Sequence, residues 1–460
     1  MNAPKDFDRL NSKARNDAKH APRIIPREQH TISRKNISKA ALRVLYRLNE
    51  AGYDAYLVGG AVRDLLLGGH PKDFDVATNA TPDDVKKLFR NCRLIGRRFR
   101  LAHVVYGSEI IEVATFRGTS EEEGGEGDRH IVDGRIVRDN VWGTIEEDAL
   151  RRDFRVNAMY YGIDDFAVRD YVGGMQDLQD RVLRLIGDPT TRYREDPVRM
   201  LRAARLAAKL DFRIDSSASA PFAELGPLLS GVAPARLFDE SLKMFLTGHG
   251  LKSFRMLEQC GLLKFMFPAT ARALKRGDNA LRELIENGLE NTDARISDGK
   301  SVTPAFLFAL LLWGEVRDLA HTWTTQGKDA NEAWSRAAMH VLAEQCQRVA
   351  IPRRFTITME EIWSLQPRFE HIQRKKVFRL LAHPRFRAAF DFLLLRSAES
   401  PAIGELGQWW AHAQQLPHET LAAALPLQGT HIAGDIEPAR GTAARKRKRR
   451  RKPAGKSGTT

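Results

Sequence analysis

The segment Leu57-Val-Gly-Gly-Ala-Val-Arg-Asp64 constrains this chain more than any other. Tyr53 to Val58 reads as a short strand and Ala61 to Leu67 as a short helix. Between them, Gly59 and Gly60 let the backbone turn sharply and leave amide N–H groups open to an anion. A Gly-Gly pair alone is usually just a turn. Here Arg63 and Asp64 add a phosphate-sized cation and a hydrogen-bonding carboxylate on the opening helix. Some ten residues on, Asp73-Phe-Asp75 puts two carboxylates on one face of a strand predicted over Phe74 to Ala77. At ~5 Å and an effective dielectric of ~20, two such charges repel by about 3 kcal/mol. An isolated Asp-x-Asp is a solvated strand end, but behind this turn the pair asks for a cation. Oxygen-only ligands suit Mg²⁺, which keeps waters and shares its other positions with substrate phosphates.

Two further clusters carry chemistry. Arg151-Arg-Asp-Phe-Arg-Val-Asn157 gathers guanidiniums, the Asp153 carboxylate and the Asn157 amide ahead of an apolar strand. Arg152 suits a phosphate and Asp153 a ribose hydroxyl; read alone, the cluster is equally a surface ion-pair group. In Tyr193-Arg-Glu-Asp-Pro-Val-Arg-Met-Leu-Arg-Ala-Ala-Arg205, Glu195 and Asp196 precede Pro197 and are expected to cap a helix. Arg199, Arg202 and Arg205 fall on one stripe beside an apolar one formed by Val198, Leu201 and Ala204. Such a stripe can present a donor and an acceptor to a base edge, or simply pair ions along a helix. His70, His103 and His130 lack metal-ligand spacing and read as ordinary.

Residues 1–35 are polar, basic and without periodicity, which predicts a disordered leader. A mixed head is expected over 36–190, a helical neck over 191–270, a helical body over 271–420 and a disordered basic tail over 421–460. His103 to Tyr106 and Glu109 to Phe116 read as a strand pair turning at Gly107-Ser108. Thr119 to Asp128 reads as an acidic loop, followed by a hairpin signal at Asp133-Gly134. Residues 156–186 read as strands and turns, and helix prevails from Asp196.

A net charge of +15 favours a polyanionic partner, but its placement matters more. Arg440 to Lys456 holds ten basic residues and no acidic one, leaving only +5 elsewhere. Its centre, Arg445, Lys446, Arg447, Lys448, Arg449, Arg450, Arg451 and Lys452, is self-repelling and, beside the motifs above, reads as an RNA- or DNA-binding arm rather than a merely solvated tail. Three scattered cysteines exclude a disulfide framework or zinc site and point to a reduced cytoplasmic compartment. The apolar run Ala305 to Trp313 falls short of the ~20 residues a membrane span needs, so no stable membrane insertion is expected.

In their order, these motifs resemble the class II nucleotidyltransferase family of bacterial poly(A) polymerases and CCA-adding enzymes, over roughly residues 40–270. The resemblance implies an α+β fold, with a polymerase-β-like nucleotidyltransferase head followed by an all-α neck, body and tail. It implies catalytic metals on Asp73 and Asp75. Gly59, Gly60, Arg63, Asp64, Arg152 and Asn157 would serve the nucleotide, and Glu195, Asp196, Arg199 and Arg202 its base. The third active-site carboxylate has two candidates, Asp153, which is preferred, and Glu112. Val137 to Asp148 and Leu185 to Arg202 look more like poly(A) polymerases than CCA-adding enzymes. The implied activity is template-independent polyadenylation of RNA by a monomer using Mg²⁺ and ATP. Its partners would be single-stranded 3′ ends of mRNA and decay intermediates, with RNA-decay proteins beside them. A CCA- or A-adding tRNA enzyme and a catalytically idle RNA-binding protein are the alternatives.

Overall fold

The computed structural model describes residues 21–96, 100–118, 129–132, 135–139, 141–425 and 430–431. The acidic loop, the Asp133-Gly134 turn and the basic run Arg445 to Lys452 lie outside the described residues.

Among the described residues, ten strands make up the sheets of the head: β1 (Arg23–Ile25), β2 (Ala55–Val58), β3 (Asp75–Thr78), β4 (Cys92–Ile95), β5 (Leu101–Tyr106), β6 (Glu109–Thr115), β7 (Arg129–Val132), β8 (Arg135–Asp139), β9 (Met159–Gly162) and β10 (Val168–Asp170). Eight form one sheet in the order β1-β10-β9-β2-β3-β6-β5-β4, while β7 and β8 pair separately across the expected hairpin. Only β3 and β6 run parallel within the large sheet. The remaining neighbours are antiparallel.

The helices α1 (Lys39–Glu50), α2 (Gly60–Leu66) and α3 (Pro82–Leu88) belong to the head. Ala40, Ala41, Val44, Leu45 and Leu48 recur at helical spacing and are buried, which presses α1 onto β2, β3 and β6. Ser38 starts this helix by accepting from the Ala41 amide at 3.0 Å. Thr81 and Asp84 form a capping box around Pro82 at the start of α3. Strand residues alternate in the same sense. Leu57, Val76 and Val113 join the main core, whereas Val58, Ala77 and Tyr160 form a small cluster with Phe116 and Ala149 on the opposite face.

Several boundaries differ from the sequence reading. Residues 21–35 are not leader: β1 adds a strand to β10, fixed by distant pairing that leaves no local periodicity. Strand β3 starts at Asp75, so Asp73 sits in the approach to it. Gly174–Asp180 is helical rather than strand or turn, and the helix His418–Ala424 extends into the expected tail.

Beyond the head, α4 (Ile145–Arg151) precedes the second motif, and α5 (Gly174–Asp180) follows β10. The neck helices are α6 (Pro189–Glu195), α7 (Val198–Leu210) and α8 (Pro234–Phe245). Long body helices include Asn279–Ser297, Pro304–Thr325, Ala330–Arg348 and Arg353–Phe369. The apolar run inside Pro304–Thr325 is core, with Leu307 through Trp313 all buried. Among the described residues, no helix is long and apolar enough to cross a membrane.

Candidate active site

Strand register gathers the site. Tyr160 pairs with Val58, Val58 with Asp75, Asp75 with Glu112, and Glu112 with His103. Directly paired residues share a face, so one row runs across β9, β2, β3, β6 and β5 with two carboxylates at its centre. Phe74 is buried in the core, which leaves Asp73 and Asp75 together on the exposed side of the chain.

The Asp75 carboxyl is solvent-reachable yet crowded by protein, and its pKa is pushed up to about 6. Partial desolvation is the largest cause; repulsion from Glu112 and from Asp73 adds to it, and Arg152 works against it. His103 Nε2 lies 3.4 Å from Glu112 Oε2 on the next strand.

The turn after β2 forms the other wall. Gly59 has φ 75° and ψ −136°, a conformation that disfavours any side chain. A Cβ there would lie 3.7 Å from Arg152 Nη1 and 3.9 Å from Asp75 Oδ2, so the bare turn sits between cation and carboxylate. Gly60 opens α2 directly behind it.

Arg152 is fixed from below. Its Nη2 donates to Asp148 Oδ2 at 2.8 Å, and its Nε donates to Tyr160 Oη at 2.9 Å. Tyr160 donates in turn to Asp148 Oδ2 at 2.6 Å, and Asp148 is 6% exposed. Burial opposes the charge on Arg152, but Asp148 more than compensates and holds it cationic. Sequence reasoning did not assign Asp148, Tyr160 or His103 to the site. The spacing of Asp148 four residues before Arg152 was the available signal.

The other assigned residues divide into two groups. Arg63 turns inward at 3% exposure, donating from Nη1 to Asn157 Oδ1 at 2.5 Å and from Nε to Asp64 Oδ1 at 2.8 Å. Asp64 also meets Lys209 Nζ of α7 at 3.0 Å. Arg63, Asp64 and Asn157 thus brace the back of the Gly-Gly turn. Asp153 accepts from Arg202 Nε at 2.7 Å and from the Phe154 amide at 2.8 Å, tying head to neck. Glu112, rather than Asp153, is the carboxylate registered opposite Asp75.

In the neck, Glu195 ends α6 and Asp196 lies between the two helices, where its Oδ1 accepts from the Val198 amide at the start of α7 at 3.4 Å, so Asp196 caps α7 as expected while Glu195 turns to guanidiniums. Glu195 Oε2 accepts from Arg192 Nη1 at 2.9 Å and from Arg199 Nη1 at 2.8 Å. Arg192, missed by the sequence reading, also donates from Nη2 to the carbonyls of Arg151 and Arg152 at 2.6 and 2.7 Å. It therefore links the neck to the Arg151-Arg152 segment of the head. Arg236 of α8 meets Asp196 at 2.9 Å.

Among the described residues, no three His, Cys, Asp or Glu side chains come together as a closed metal cage. The donor set nevertheless fits Mg²⁺, because the Asp73 and Asp75 carboxylates are exposed and their mutual repulsion lacks a full countercharge. Water and substrate phosphate would complete such a shell.

The sheet and its carboxylate row define a polymerase-β-like nucleotidyltransferase head. Family models match as "Poly A polymerase head domain" over residues 55–184, "Probable RNA and SrmB- binding site of polymerase A" over 211–274 and "Polymerase A arginine-rich C-terminus" over 326–453. Poly(A) polymerase I of Salmonella typhi is 54% identical over 399 residues, covering 85% of each chain. The chain belongs to the poly(A) polymerase family. A CCA-adding enzyme of Lactobacillus gasseri is 36% identical over 223 residues, covering 48% of this chain and 54% of its own. Among solved structures, the Bacillus stearothermophilus CCA-adding enzyme in complex with CTP aligns with a TM-score of 0.54 at 25% identity, covering 81% of each chain.

Proposed function

We propose that this chain is a polynucleotide adenylyltransferase that extends RNA 3′ ends without a template, transferring AMP from ATP. The observation that carries this reading is the agreement of head, RNA-binding region and arginine-rich C-terminus with poly(A) polymerases, where the CCA-adding relative matches about half the chain. The 3′ hydroxyl oxygen attacks the α-phosphorus in line and gives up its proton to solvent, the bond from that phosphorus to the oxygen bridging to the β-phosphate breaks, and pyrophosphate leaves.

Asp73 and Asp75 hold Mg²⁺, with Glu112 as the third carboxylate of the site in preference to Asp153. The chemistry Mg²⁺ supplies at such a pair is a lowered hydroxyl pKa and neutralised charge on the leaving pyrophosphate. Arg152, pre-oriented by Asp148 and Tyr160, faces the triphosphate across the Gly59–Gly60 turn, whose amides contribute donors. Arg63, Asp64 and Asn157 keep that turn rigid. Arg199, held by Glu195, and Asp196 read the adenine edge, and Arg202 holds the neck to the head through Asp153. The basic tail tethers RNA by its phosphates. The protein acts as a cytoplasmic monomer on mRNA and decay intermediates, and the match at residues 211–274 supports a protein partner beside RNA.

Incubating a generic single-stranded RNA with Mg²⁺ and each nucleotide separately tests the reading. A long ladder with ATP alone is expected. Addition limited to two C and one A on tRNA would instead establish a CCA-adding enzyme, and no transfer at all would leave an RNA-binding protein.

A further inference from the structure

The head carries a concave surface on the helical side of the sheet, away from the carboxylate row. A groove of about 480 Å³ lies between α1 and the end of α3, and its lining includes Arg43, Arg47, Arg90, Tyr46, Tyr106 and one carboxylate, Glu50. That volume falls in the range of small-ligand sites, about 300–1,000 Å³. Arg43, Tyr46, Arg47 and Arg90 are exposed. Arg47 shares its charge with Glu50 at 3.9 Å, but neither Arg43 nor Arg90 has a hydrogen-bond or ion-pair partner among the described residues. Tyr46 is held by the Arg34 Nη1 donor at 2.9 Å, which leaves its ring half-exposed at 38%. Unpaired guanidiniums beside accessible aromatic rings suit a single nucleic-acid strand, the phosphates meeting cations and the bases stacking.

A second observation joins this groove to the active site. The carboxylate row continues outward from His103 to Arg93 on β4, the edge strand of the sheet. Arg93 is exposed and has no partner among the described residues. Three strand spacings at ~4.8 Å put it about 14 Å from Asp75 along the row. Arg90 and Asn91, at the groove, immediately precede this strand, and Asn91 is pinned to the Val105 carbonyl at 2.6 Å. Exposed cations therefore lead from the carboxylates, over the β4 edge, into the groove.

We infer that this groove binds single-stranded RNA a few nucleotides upstream of the 3′ end, the strand passing Arg93 at the sheet edge. The inference rests on the polyadenylation reading for the identity of the strand. It assigns the head a grip on the primer in addition to any contact made by the body or tail.

The test uses the full chain with Arg43→Gln/Arg90→Gln and with Arg43→Glu/Arg90→Glu, after their circular dichroism and melting are shown to match the parent. Binding of labelled oligoadenylates, one of three nucleotides and one of fifteen, is followed by fluorescence anisotropy at several salt concentrations. Expected is about a tenfold weakening for the long oligonucleotide, larger in the Glu pair, and a salt slope lower by about 1.4 at ~0.7 per lost phosphate contact. The short oligonucleotide, which does not reach the groove, loses little. Unchanged affinity and slope for the long oligonucleotide overturns the inference, as does equal weakening of both lengths. A groove that docks a protein instead would give the first of these results. Because anisotropy needs no turnover, failure of AMP transfer by the parent protein would sink the activity and leave this measurement intact.

Discussion

Arg202 and Asp153 clasp each other across the junction of head and neck, with Arg202 Nη2 2.5 Å from Asp153 Oδ2 and the carboxylate only 12% exposed. Removing one member of such a half-buried pair leaves the other charge without its main partner, at a cost of about 2–3 kcal/mol. Arg202→Ala should therefore lower stability by that order in urea melts. Combining it with Asp153→Ala should cost less than the sum of the single changes. Simple additivity would show that the two side chains do not interact.

The same pair sets an acid response. Burial by itself would raise Asp153, but the Arg202 guanidinium overrides it and holds the carboxyl down to about 2. Against an unfolded value of about 3.9, the folded pKa is depressed. The stabilisation is thus complete above about pH 4 and disappears as pH falls through about 2, amounting to about 2–3 kcal/mol. Urea midpoints at pH 5 and pH 2.5 should drop less in Asp153→Asn than in the parent; equal drops would contradict the assignment.

Asp73→Ala and Asp75→Ala should each reduce AMP incorporation by at least about a thousandfold, since a Mg²⁺ held by the pair would supply several kcal/mol of charge stabilisation. Affinity for RNA should stay nearly the same. Normal turnover in either variant would remove the metal assignment.

Gly59→Ala should fold poorly or lose activity, because its backbone conformation costs a side chain about 1–3 kcal/mol. The added Cβ also enters the gap between Arg152 and Asp75. Gly60→Ala should be milder, since Gly60 has no positive φ and its Cβ would lie no closer than 3.4 Å to a neighbour, the Arg63 guanidinium. Comparable melting and turnover in the two variants would contradict this ranking.

Truncation after Pro438 removes the eight consecutive cations Arg445 to Lys452. RNA affinity should fall, and the salt slope should flatten by up to about 5 or 6 log units per log unit, at ~0.7 per contact. An unchanged slope would mean that the tail does not grip RNA.

Much of the head was legible because its signals are local. The glycines at 59 and 60, the Thr81-Pro82 helix start and the Gly107-Ser108 turn each act within a few residues, and each was found where expected. Strand β1 was missed because three residues carry no period, and its stability comes from β10, far along the chain. The neck shows the same division. The stripe of Arg199, Arg202 and Arg205 could be read from spacing, but not its partners. Arg199 meets Glu195, Arg202 meets Asp153 and Arg205 meets Glu240, so the stripe is three separate anchors. His103 lacked ligand spacing and looked ordinary. Strand register made it the neighbour of Glu112.

The sequence by itself determined which groups this protein has for its chemistry: the carboxylates at 73 and 75, the glycine turn, the Arg-Arg-Asp cluster and the cationic tail. Side-chain type and short spacing suffice for that, because alternation and capping act within a few residues of the chain. Only the tertiary structure decided which of those groups meet. It set Glu112 opposite Asp75, turned Arg63 inward to Asn157, locked Asp153 to Arg202 and ranged Arg93 in line with the carboxylate row. Such choices depend on sheet register and helix docking, where shifting a strand by one residue exchanges the faces of all its side chains.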